Sequence, residues 1–413
     1  MTHEEQARRA REASVALRRA NKVQRNAAIL AMGARMRTRT ADILEANKAD
    51  LEQAARDRLP DAKLDRLKLD EKRIDEMIKG VEAVAAQPDP VGKVVDERRG
   101  PSGIRVQRVR VPIGVILMIY EARPNVTAEA AALCLRAGNA VLLKGGHEAD
   151  RTNRMIASLL QSAVAQEAMP SDAIQLVEGG HQAVEGLLQL DQLIDLVIPR
   201  GGEGLIRAVA EKSKIPVIKH YKGNCHIYVD KDADAIMART VVQNAKCQRP
   251  ATCNAAEKLL IHVDVAMSML PQIAERLLKA GVRLKGDAGS RKVVPQINPA
   301  TEEDWSEEYL DLVMAVKIVR DLDDAIRHIN AYGSAHTDAI ITQNEAAARR
   351  FLNEVDSSSV MWNCSTRLAD GGQYGLGAEI GISTERIHAR GPMGAEELTC
   401  CKWVVTGEGQ LRQ

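Results

Sequence analysis

The sequence predicts an α/β protein with two parallel-sheet domains and a small β arm. Three observations support this prediction. The chain has 413 residues, too many for one ordinary core. Short apolar runs alternate with helical segments over most of residues 111–363, and residues 103–111 alternate apolar and charged side chains with period two.

The first segment, from Glu4 to Ala86, carries Ala, Leu and charged residues at helical spacing. Pro60 interrupts this segment, and Pro88 and Pro90 follow its end. Since proline breaks a helix at the preceding residue, the pattern predicts several separate amphipathic helices.

The arm is predicted from two distant segments. Residues 103–111, GIRVQRVRV, have the alternation of a half-exposed strand, and residues 398–405, LTCCKWVV, offer a second apolar strand. Because an exposed strand edge must be paired or blunted, we expect residues 98–111 and 395–413 to form an oligomerisation arm. The alternative is an ordinary solvated edge strand of the main sheet.

Two sheet domains follow from the apolar runs. Strand-like runs apolar on both faces are typical of parallel sheets covered by helices. For the first domain, residues 1–97 and 112–221, they are VPIGVILMIY, NAVLLKGG, SDAIQLVEGG, IDLVIPRGG and IPVIKHYKG. For the second domain, residues 222–394, they are CHIYVD, EKLLIH, LVMAVKIV, TDAIIT and SSSVMW.

Composition excludes several classes of partner. Lys plus Arg number 57 and Asp plus Glu 56, so the chain lacks the positive charge of a general nucleic-acid binder. An aromatic fraction of 2% provides few stacking platforms for bases. No apolar stretch is long enough for a membrane span or a signal peptide, so we expect a cytoplasmic protein with a small-molecule substrate. Seven cysteines without a Cys-x-x-Cys pair predict neither a disulfide framework nor a metal site.

Nucleotide-binding candidates lie where predicted strands end. Arg200, Gly201 and Gly202 sit between a strand and a helix start, where glycine allows backbone N–H groups to approach a phosphate. Such a turn needs glycine for steric reasons as well. Lys144 and Gly145 end another strand, at the edge where open α/β sheets bind ligands; a solvated lysine is the alternative.

One thiol stands out by its context. Cys253 lies in a polar segment just before an apolar strand, which is a placement for an exposed thiol and not a core one. The nearby cations Lys246 and Arg249 would lower its pKa and make it nucleophilic. Cys247, at the end of a predicted helix, is the competing candidate.

Several segments of the sequence resemble those of one known family. Residues 319–340, VRDLDDAIRHINAYGSAHTDAI, resemble the signature of the γ-glutamyl phosphate reductase family, in the aldehyde dehydrogenase superfamily. Further similar segments are YEARPNVT (120–127), LLKGGHEADRTN (142–153), IPVIKHYKGNCHIYVDKDAD (215–234), QRPATCN (248–254) and GLGAEIGISTERIHARGPMG (375–394).

The resemblance implies an aldehyde-dehydrogenase-like fold with two Rossmann-like domains. It also implies NADPH-dependent reduction of L-glutamate 5-phosphate to L-glutamate 5-semialdehyde, the second step of proline biosynthesis from glutamate. Cys253 matches the family nucleophile and would form a thioester with release of phosphate. Its backbone N–H and the Asn125 side chain are the predicted oxyanion donors.

Three further positions bear on chemistry and cofactor. His220 stands where hydrolytic relatives carry a water-activating glutamate, so the thioester would survive until hydride arrives. His147 replaces a glutamate that NAD-preferring relatives use to bind the ribose, which favours NADP(H) because a carboxylate would repel a 2′-phosphate. Glu308 resembles the nicotinamide-ribose ligand, although the residues after it differ from the family pattern.

The substrate implied by the resemblance is anionic, so we expect arginines near the thiol. The candidates are Arg123, Arg249 and Arg390.

We expect a homo-oligomer, either a dimer or a tetramer. Glutamate 5-kinase is a candidate partner that would supply the acyl phosphate. Two alternatives stay open. One is another acylating aldehyde dehydrogenase, linked to CoA or phosphate, and the other is a non-catalytic member of the fold.

Overall fold

The structure is a computed structural model. It describes residues 1–412, except for the side chain of Ala62. Two compact units divide the chain. Unit 1 contains Met1–Lys219, Gly375–Gly381 and the residues from Met393 onward; unit 2 contains His220–Tyr374 and Ile382–Pro392. The predicted α/β class with parallel sheets is confirmed.

Unit 1 begins with the helices that the N-terminal pattern predicts. Asn21 starts the second helix with a reciprocal cap, since its side chain accepts from the Gln24 N–H while the Gln24 side chain accepts from the Asn21 N–H. The helices of this unit are α1 (His3–Leu17), α2 (Lys22–Thr38), α3 (Thr40–Arg56), α4 (Asp61–Leu67), α5 (Glu71–Ala86), α6 (Asn125–Arg136), α7 (Asp150–Gln166), α8 (His181–Leu187) and α9 (Glu203–Lys212).

Between α5 and the first strand of the unit 1 sheet lie two strands of the arm, β1 (Val94–Arg99) and β2 (Arg105–Pro112). The unit 1 sheet is formed by β3 (Val115–Tyr120), β4 (Ala140–Lys144), β5 (Ile174–Leu176) and β6 (Leu196–Arg200). Its four strands are parallel, in the order β5-β4-β3-β6. All six residues of β3 are buried, as its continuous apolar run predicts for a sheet covered on both faces.

One predicted strand of unit 1 does not form. Residues 215–223, IPVIKHYKG, make only an isolated bridge, between Val217 and Val197. The Pro216 carbonyl accepts from the Val197 N–H and the Ile218 N–H donates to the Val197 carbonyl, but Pro216 has no N–H with which to continue the ladder. The expectation of a full strand here was wrong, because the ladder cannot extend through proline.

Unit 2 contains the larger sheet. Its strands are β7 (Cys225–Val229), β8 (Ala256–His262), β9 (Arg283–Gly286), β10 (Asn298–Pro299), β11 (Val313–Val319), β12 (Thr337–Ile341) and β13 (Ser359–Trp362). They are all parallel, in the order β10-β9-β11-β8-β7-β12-β13. The helices are α10 (Ala235–Cys247), α11 (Val263–Lys279), α12 (Ala288–Val293), α13 (Leu322–Tyr332) and α14 (Glu345–Glu354).

The boundary between the units near residue 381 falls in a short hairpin of β14 (Gly381–Ser383) and β15 (Gly391–Met393). The first boundary between the units falls between Lys219 and His220. Residues 375–381 join unit 1, where the Gln87 side chain donates to the Leu376 carbonyl.

The two predicted arm segments do pair. β2 runs antiparallel to β16 (Thr399–Thr406) in a continuous register from Pro112 and Thr399 to Arg105 and Thr406. β1 adds a third strand on the other side of β2, so the arm is a three-stranded sheet separate from the parallel sheets. Trp403 and Val405 are exposed on it.

Among the described residues, no helix combines the length and the apolar character needed to cross a membrane.

Candidate active site

The predicted nucleophile Cys253 lies in the loop that joins α10 to β8, and it is half-buried. The loop is held by its own polar groups. Thr252 Oγ1 donates to the Arg249 carbonyl at 2.8 Å, and Asn254 Nδ2 donates to the Ala369 carbonyl at 2.9 Å. The thiol therefore sits on a fixed backbone and remains partly accessible.

The Cys253 backbone is also packed against the segment before β7. A Cβ on Gly223 would lie 1.8 Å from the Cys253 carbonyl oxygen, so no residue larger than glycine fits there without a backbone shift. Two residues along, the Cys225 thiol donates to the same oxygen at 3.2 Å.

Two imidazoles share the neighbourhood of the thiol. His220, His336 and Cys253 have nitrogen and sulfur atoms that all lie within 4.8 Å of one another. The two rings are edge to face, with centroids 5.6 Å apart. His336 is buried and its Nδ1 lies 2.9 Å from Thr337 Oγ1, whereas His220 is half-buried.

These groups converge because of the sheet order. Cys225 begins β7, Cys253 shortly precedes β8, and His336 immediately precedes β12. Since β8, β7 and β12 are adjacent and parallel, their amino ends meet at one edge. The thiol site is thus built at the amino edge of the unit 2 sheet, opposite the edge that usually binds ligands in open α/β sheets.

An arginine that the sequence did not single out also approaches the thiol. Arg367 is half-buried and donates to Gln248 Oε1 at 2.8 Å and to Asn254 Oδ1, both in the thiol loop. Burial lowers the pKa of Arg367, and the nearby Cys253 acts in the opposite direction. Its guanidinium supplies positive charge beside the nucleophile.

The other two basic residues expected near Cys253 have different surroundings. Lys246 is fully buried and its Nζ binds Glu257 Oε2 at 3.0 Å, so its charge is already balanced inside the core. Arg249 is exposed.

The competing thiol, Cys247, is the last residue of α10 and packs partly against the apolar core of unit 2. Burial raises the pKa of Cys247 and disfavours its thiolate.

Lys246 and Glu257 belong to a buried ionic cluster, which we define as Lys246, Glu257 and Lys258. Glu257 Oε2 and Oε1 accept from the N–H groups of Tyr309 and Leu310, each at 3.3 Å. Lys258 Nζ donates to the Glu307 carbonyl at 2.5 Å. Burial raises the pKa of Glu257 and lowers those of Lys246 and Lys258.

This cluster fixes the segment that carries Glu308. Glu308 Oε1 accepts from the Gly223 N–H at 2.8 Å, and Gly223 in turn abuts the Cys253 carbonyl. The structure therefore brings the predicted cofactor ligand Glu308 and the predicted nucleophile to the same part of unit 2.

The cofactor candidates of unit 1 meet at the carboxyl edge of its sheet. Lys144 ends β4 and Arg200 ends β6, and these strands flank β3 on either side. Lys144 is half-buried and its Nζ donates to the Gly145 carbonyl at 2.6 Å. A Cβ on Gly145 would lie 2.2 Å from the Asn153 side chain, so this glycine is required by close packing.

The glycine turn after β6 already has an anionic neighbour. The Gly202 N–H, expected to face a phosphate, donates to Glu121 Oε2 at 3.2 Å, and the same carboxylate would contact a Cβ on Gly201. A phosphate at this helix start would have to displace Glu121.

His147 is strongly exposed, at 88% of its side chain, and its Nδ1 lies 3.5 Å from Glu148 Oε2. It lines a cavity of about 290 Å³. The cavity lining also includes four carboxylates and two arginines: Asp50, Asp57, Glu148, Asp150, Arg151 and Arg154. The surroundings of His147 are therefore not strongly basic.

The remaining candidates are distributed over both units. In unit 1, Arg123 is exposed in the turn before α6, and Asn125 Nδ2 donates to Glu129 Oε1 at 3.1 Å. In unit 2, Arg390 is bound by Asp356, with Nη2 2.7 Å from Oδ1. The Arg390 charge is therefore shared with a carboxylate in this structure.

Comparisons with known proteins agree with the fold and the motifs. The chain matches the aldehyde dehydrogenase family over residues 2–312 and 300–404. It is 50% identical over 408 residues to the γ-glutamyl phosphate reductase of Thermodesulfovibrio yellowstonii, covering 98% of each chain.

Solved structures give the same result. The crystal structure of γ-glutamyl phosphate reductase from Thermotoga maritima aligns over 100% of both chains with a TM-score of 0.98 and 46% identity. An engineered glycolyl-CoA reductase with bound NADP⁺ shares the fold, with a TM-score of 0.70 at 14% identity over 98% of this chain and 96% of that one. This chain belongs to the γ-glutamyl phosphate reductases of the aldehyde dehydrogenase family.

Proposed function

We propose that this protein reduces L-glutamate 5-phosphate to L-glutamate 5-semialdehyde with NADPH and releases phosphate, as the second step of proline biosynthesis. The observation that carries the proposal is the half-buried Cys253 thiol, flanked by two imidazoles and Arg367, in a chain of this family. A thiolate displaces phosphate from an acyl phosphate, and the resulting thioester accepts hydride readily.

The phosphate-releasing step needs a proton. When the thiolate expels phosphate from a dianionic acyl phosphate, the departing group would leave as the strongly basic trianion unless it is protonated. We infer that His220 or His336 takes the Cys253 thiol proton and returns it to the departing oxygen, giving the thioester and hydrogen phosphate. Hydride transfer then yields the aldehyde and a thiolate, which regains its proton from solvent.

Oxyanion stabilisation is the second requirement, because negative charge develops on the substrate carbonyl oxygen at each step. The Cys253 backbone N–H and the Asn125 amide remain our proposed donors. Asn125 would have to release Glu129 for this role, since its amide nitrogen donates to that carboxyl group in the structure. Burial raises the pKa of Glu129, so a neutral Glu129 would hold the amide less strongly.

For the cofactor we propose NADP(H), bound by Lys144, Gly145, His147, Arg200, Gly201, Gly202 and Glu308. The support is the absence of a carboxylate at position 147 and the position of Lys144 and Arg200 at the carboxyl edge of their sheet. Arg123, Arg249 and Arg390 are proposed to bind the substrate phosphate and carboxylate.

The test is the reverse reaction on the wild-type protein. With glutamate 5-semialdehyde and phosphate, we expect reduction of NADP⁺ that depends on phosphate and is at least about tenfold faster than with NAD⁺. Coenzyme A should not replace phosphate. Activity with coenzyme A alone would identify a CoA-linked enzyme, and no activity together with unselective labelling of the cysteines by iodoacetamide would indicate a non-catalytic protein.

His220→Glu should increase hydrolysis of the thioester. A carboxylate beside the thioester can act as a general base, whereas the wild type carries an imidazole there. We expect the ratio of glutamate formed to semialdehyde formed, measured by single turnover from acyl phosphate, to rise by about 10- to 100-fold. His220→Gln is the matched control, and an unchanged ratio in the glutamate variant would contradict the proposed reason for histidine.

We also propose a cytoplasmic homo-oligomer, a dimer or tetramer, that uses the exposed face of the arm, and transfer of the acyl phosphate from glutamate 5-kinase. The exposed apolar surface around Trp403 and Val405 supports the contact between subunits. The seven free cysteines support the cytoplasm as the compartment, because thiols stay reduced there.

A further inference from the structure

Cys253, His220 and His336 form a cluster of one thiol and two imidazoles. The proposed reductase reaction needs the thiol and only one imidazole, so the second imidazole has no role in it. Their ligand atoms lie within 4.8 Å of one another, although the residues come from three separate segments of unit 2. Thiolate sulfur and imidazole nitrogen are the ligands that Zn²⁺ prefers in proteins. The absence of a Cys-x-x-Cys motif does not bear on such a site, because its ligands are brought together by the sheet and not by local spacing.

We propose that Cys253, His220 and His336 bind a soft divalent cation such as Zn²⁺, and that the bound ion reversibly blocks the thiol. Only the second part, the loss of activity, rests on the proposed function. Metal binding releases the thiol proton to solvent and forms a sulfur–metal bond without any redox change. Because the sulfur lone pair that would attack the acyl phosphate is then held by the metal, acylation and metal binding exclude each other.

The geometry requires a modest closure. Zn–S bonds of about 2.3 Å and Zn–N bonds of about 2.0–2.1 Å place tetrahedral ligand atoms roughly 3.3–3.7 Å apart. Starting from separations of up to 4.8 Å, the ligands must approach by about 1 Å.

His220 is the side chain placed to make this movement. It is half-buried in a segment without helix or strand, whereas His336 is buried and adjoins Thr337 Oγ1, and the Cys253 loop is fastened at both sides. Three protein ligands leave a fourth position for water, as in catalytic zinc sites.

The net charge of the site determines how tightly it binds a divalent cation. One thiolate and two neutral imidazoles leave a divalent ion with a net charge of about +1, and Arg367 adds a nearby cation. This repulsion weakens binding relative to a structural zinc site. It therefore favours an ion that is removed by a chelator and not one that is required for folding.

The test uses Co²⁺ as a spectroscopic probe of the zinc site in the full-length protein. We expect one equivalent of Co²⁺ to produce a thiolate-to-metal charge-transfer band in the near ultraviolet, and added Zn²⁺ to remove it. Cys253→Ser should abolish the band, and His220→Asn and His336→Asn should each weaken Co²⁺ binding by at least about tenfold. Cys364→Ser, which removes another half-buried thiol, should leave the band unchanged.

A second readout follows the thiol itself. Zn²⁺ should slow alkylation of Cys253 by iodoacetamide, located by peptide mass spectrometry, and a chelator should restore the rate. A band that persists in Cys253→Ser, or binding that is unaffected by His220→Asn in a variant with unchanged circular dichroism, would overturn the proposal. A wild type that shows the band but no reductase activity would instead contradict the proposed function.

Discussion

Cys253→Ser is expected to lower phosphate-dependent reduction of NADP⁺ by roughly 10³- to 10⁶-fold. A serine hydroxyl is not ionised near neutral pH and forms an ester in place of a thioester, so both acyl transfer and hydride acceptance suffer. The measurement is the initial rate of NADPH formation with glutamate 5-semialdehyde and phosphate, at saturating concentrations of both.

Cys247→Ser is the matched control for this variant, because Cys247 is a half-buried thiol at the end of the preceding helix. We expect it to keep activity within a few-fold of wild type. If Cys253→Ser retained more than a tenth of the wild-type rate while Cys247→Ser lost activity, the nucleophile would be Cys247 and the local context would have misled the assignment.

Glu257→Gln should destabilise the protein by about 3–5 kcal/mol, because it leaves Lys246 buried without its partner carboxylate and removes a negative charge that stabilises the charged form of the buried Lys258. The free energy of unfolding, from urea denaturation followed by circular dichroism, measures this effect. Glu275→Gln is the control: Glu275 pairs with Lys279 on the exposed face of α11, and surface pairs of this kind contribute little.

The effect of Glu257→Gln should depend on pH in a defined direction. Burial lowers the pKa of both lysines in the wild type, and the charge of Glu257 partly offsets this effect. Without Glu257 the pKa of each lysine should fall further, so above neutral pH the folded variant binds fewer lysine protons than the folded wild type. The free energy of unfolding of the variant then rises more steeply with pH than that of the wild type. We expect the gap between variant and wild type to narrow from about pH 7 to pH 10, and a gap that widened would contradict this account of the cluster.

The parallel sheets could be predicted from the sequence because their strands are buried on both faces. The continuous apolar runs at β3, β4, β7, β8 and β12 leave little choice of structure. β1, with the sequence VVDERR, escaped prediction because it is exposed and charged, and only pairing with β2 makes it a strand. β10 is two residues long and carries no periodic signal.

Only part of the site could be predicted from the sequence. Cys253 lies in a polar segment just before an apolar strand, so that segment alone was enough to single it out as an accessible thiol. His336 lies in the quoted family signature, yet nothing in its own segment connects it to the thiol. Their proximity arises from the strand order β8-β7-β12, which places two distant loops side by side. The interaction of Lys246 with Glu257 is likewise tertiary, since helix α10 turns that lysine into the core.

The pairing of β2 with β16 also bears on how the chain is made. Roughly 290 residues separate Pro112 from its partner Thr399, and at 5–20 residues per second a ribosome needs about 15 to 60 s to synthesise them. During that interval one edge of β2 emerges without its final neighbour, with its backbone N–H and carbonyl groups available to other nascent chains. Translation speed thus sets how long the newborn protein carries an open strand edge, which can close only after β16 has been synthesised.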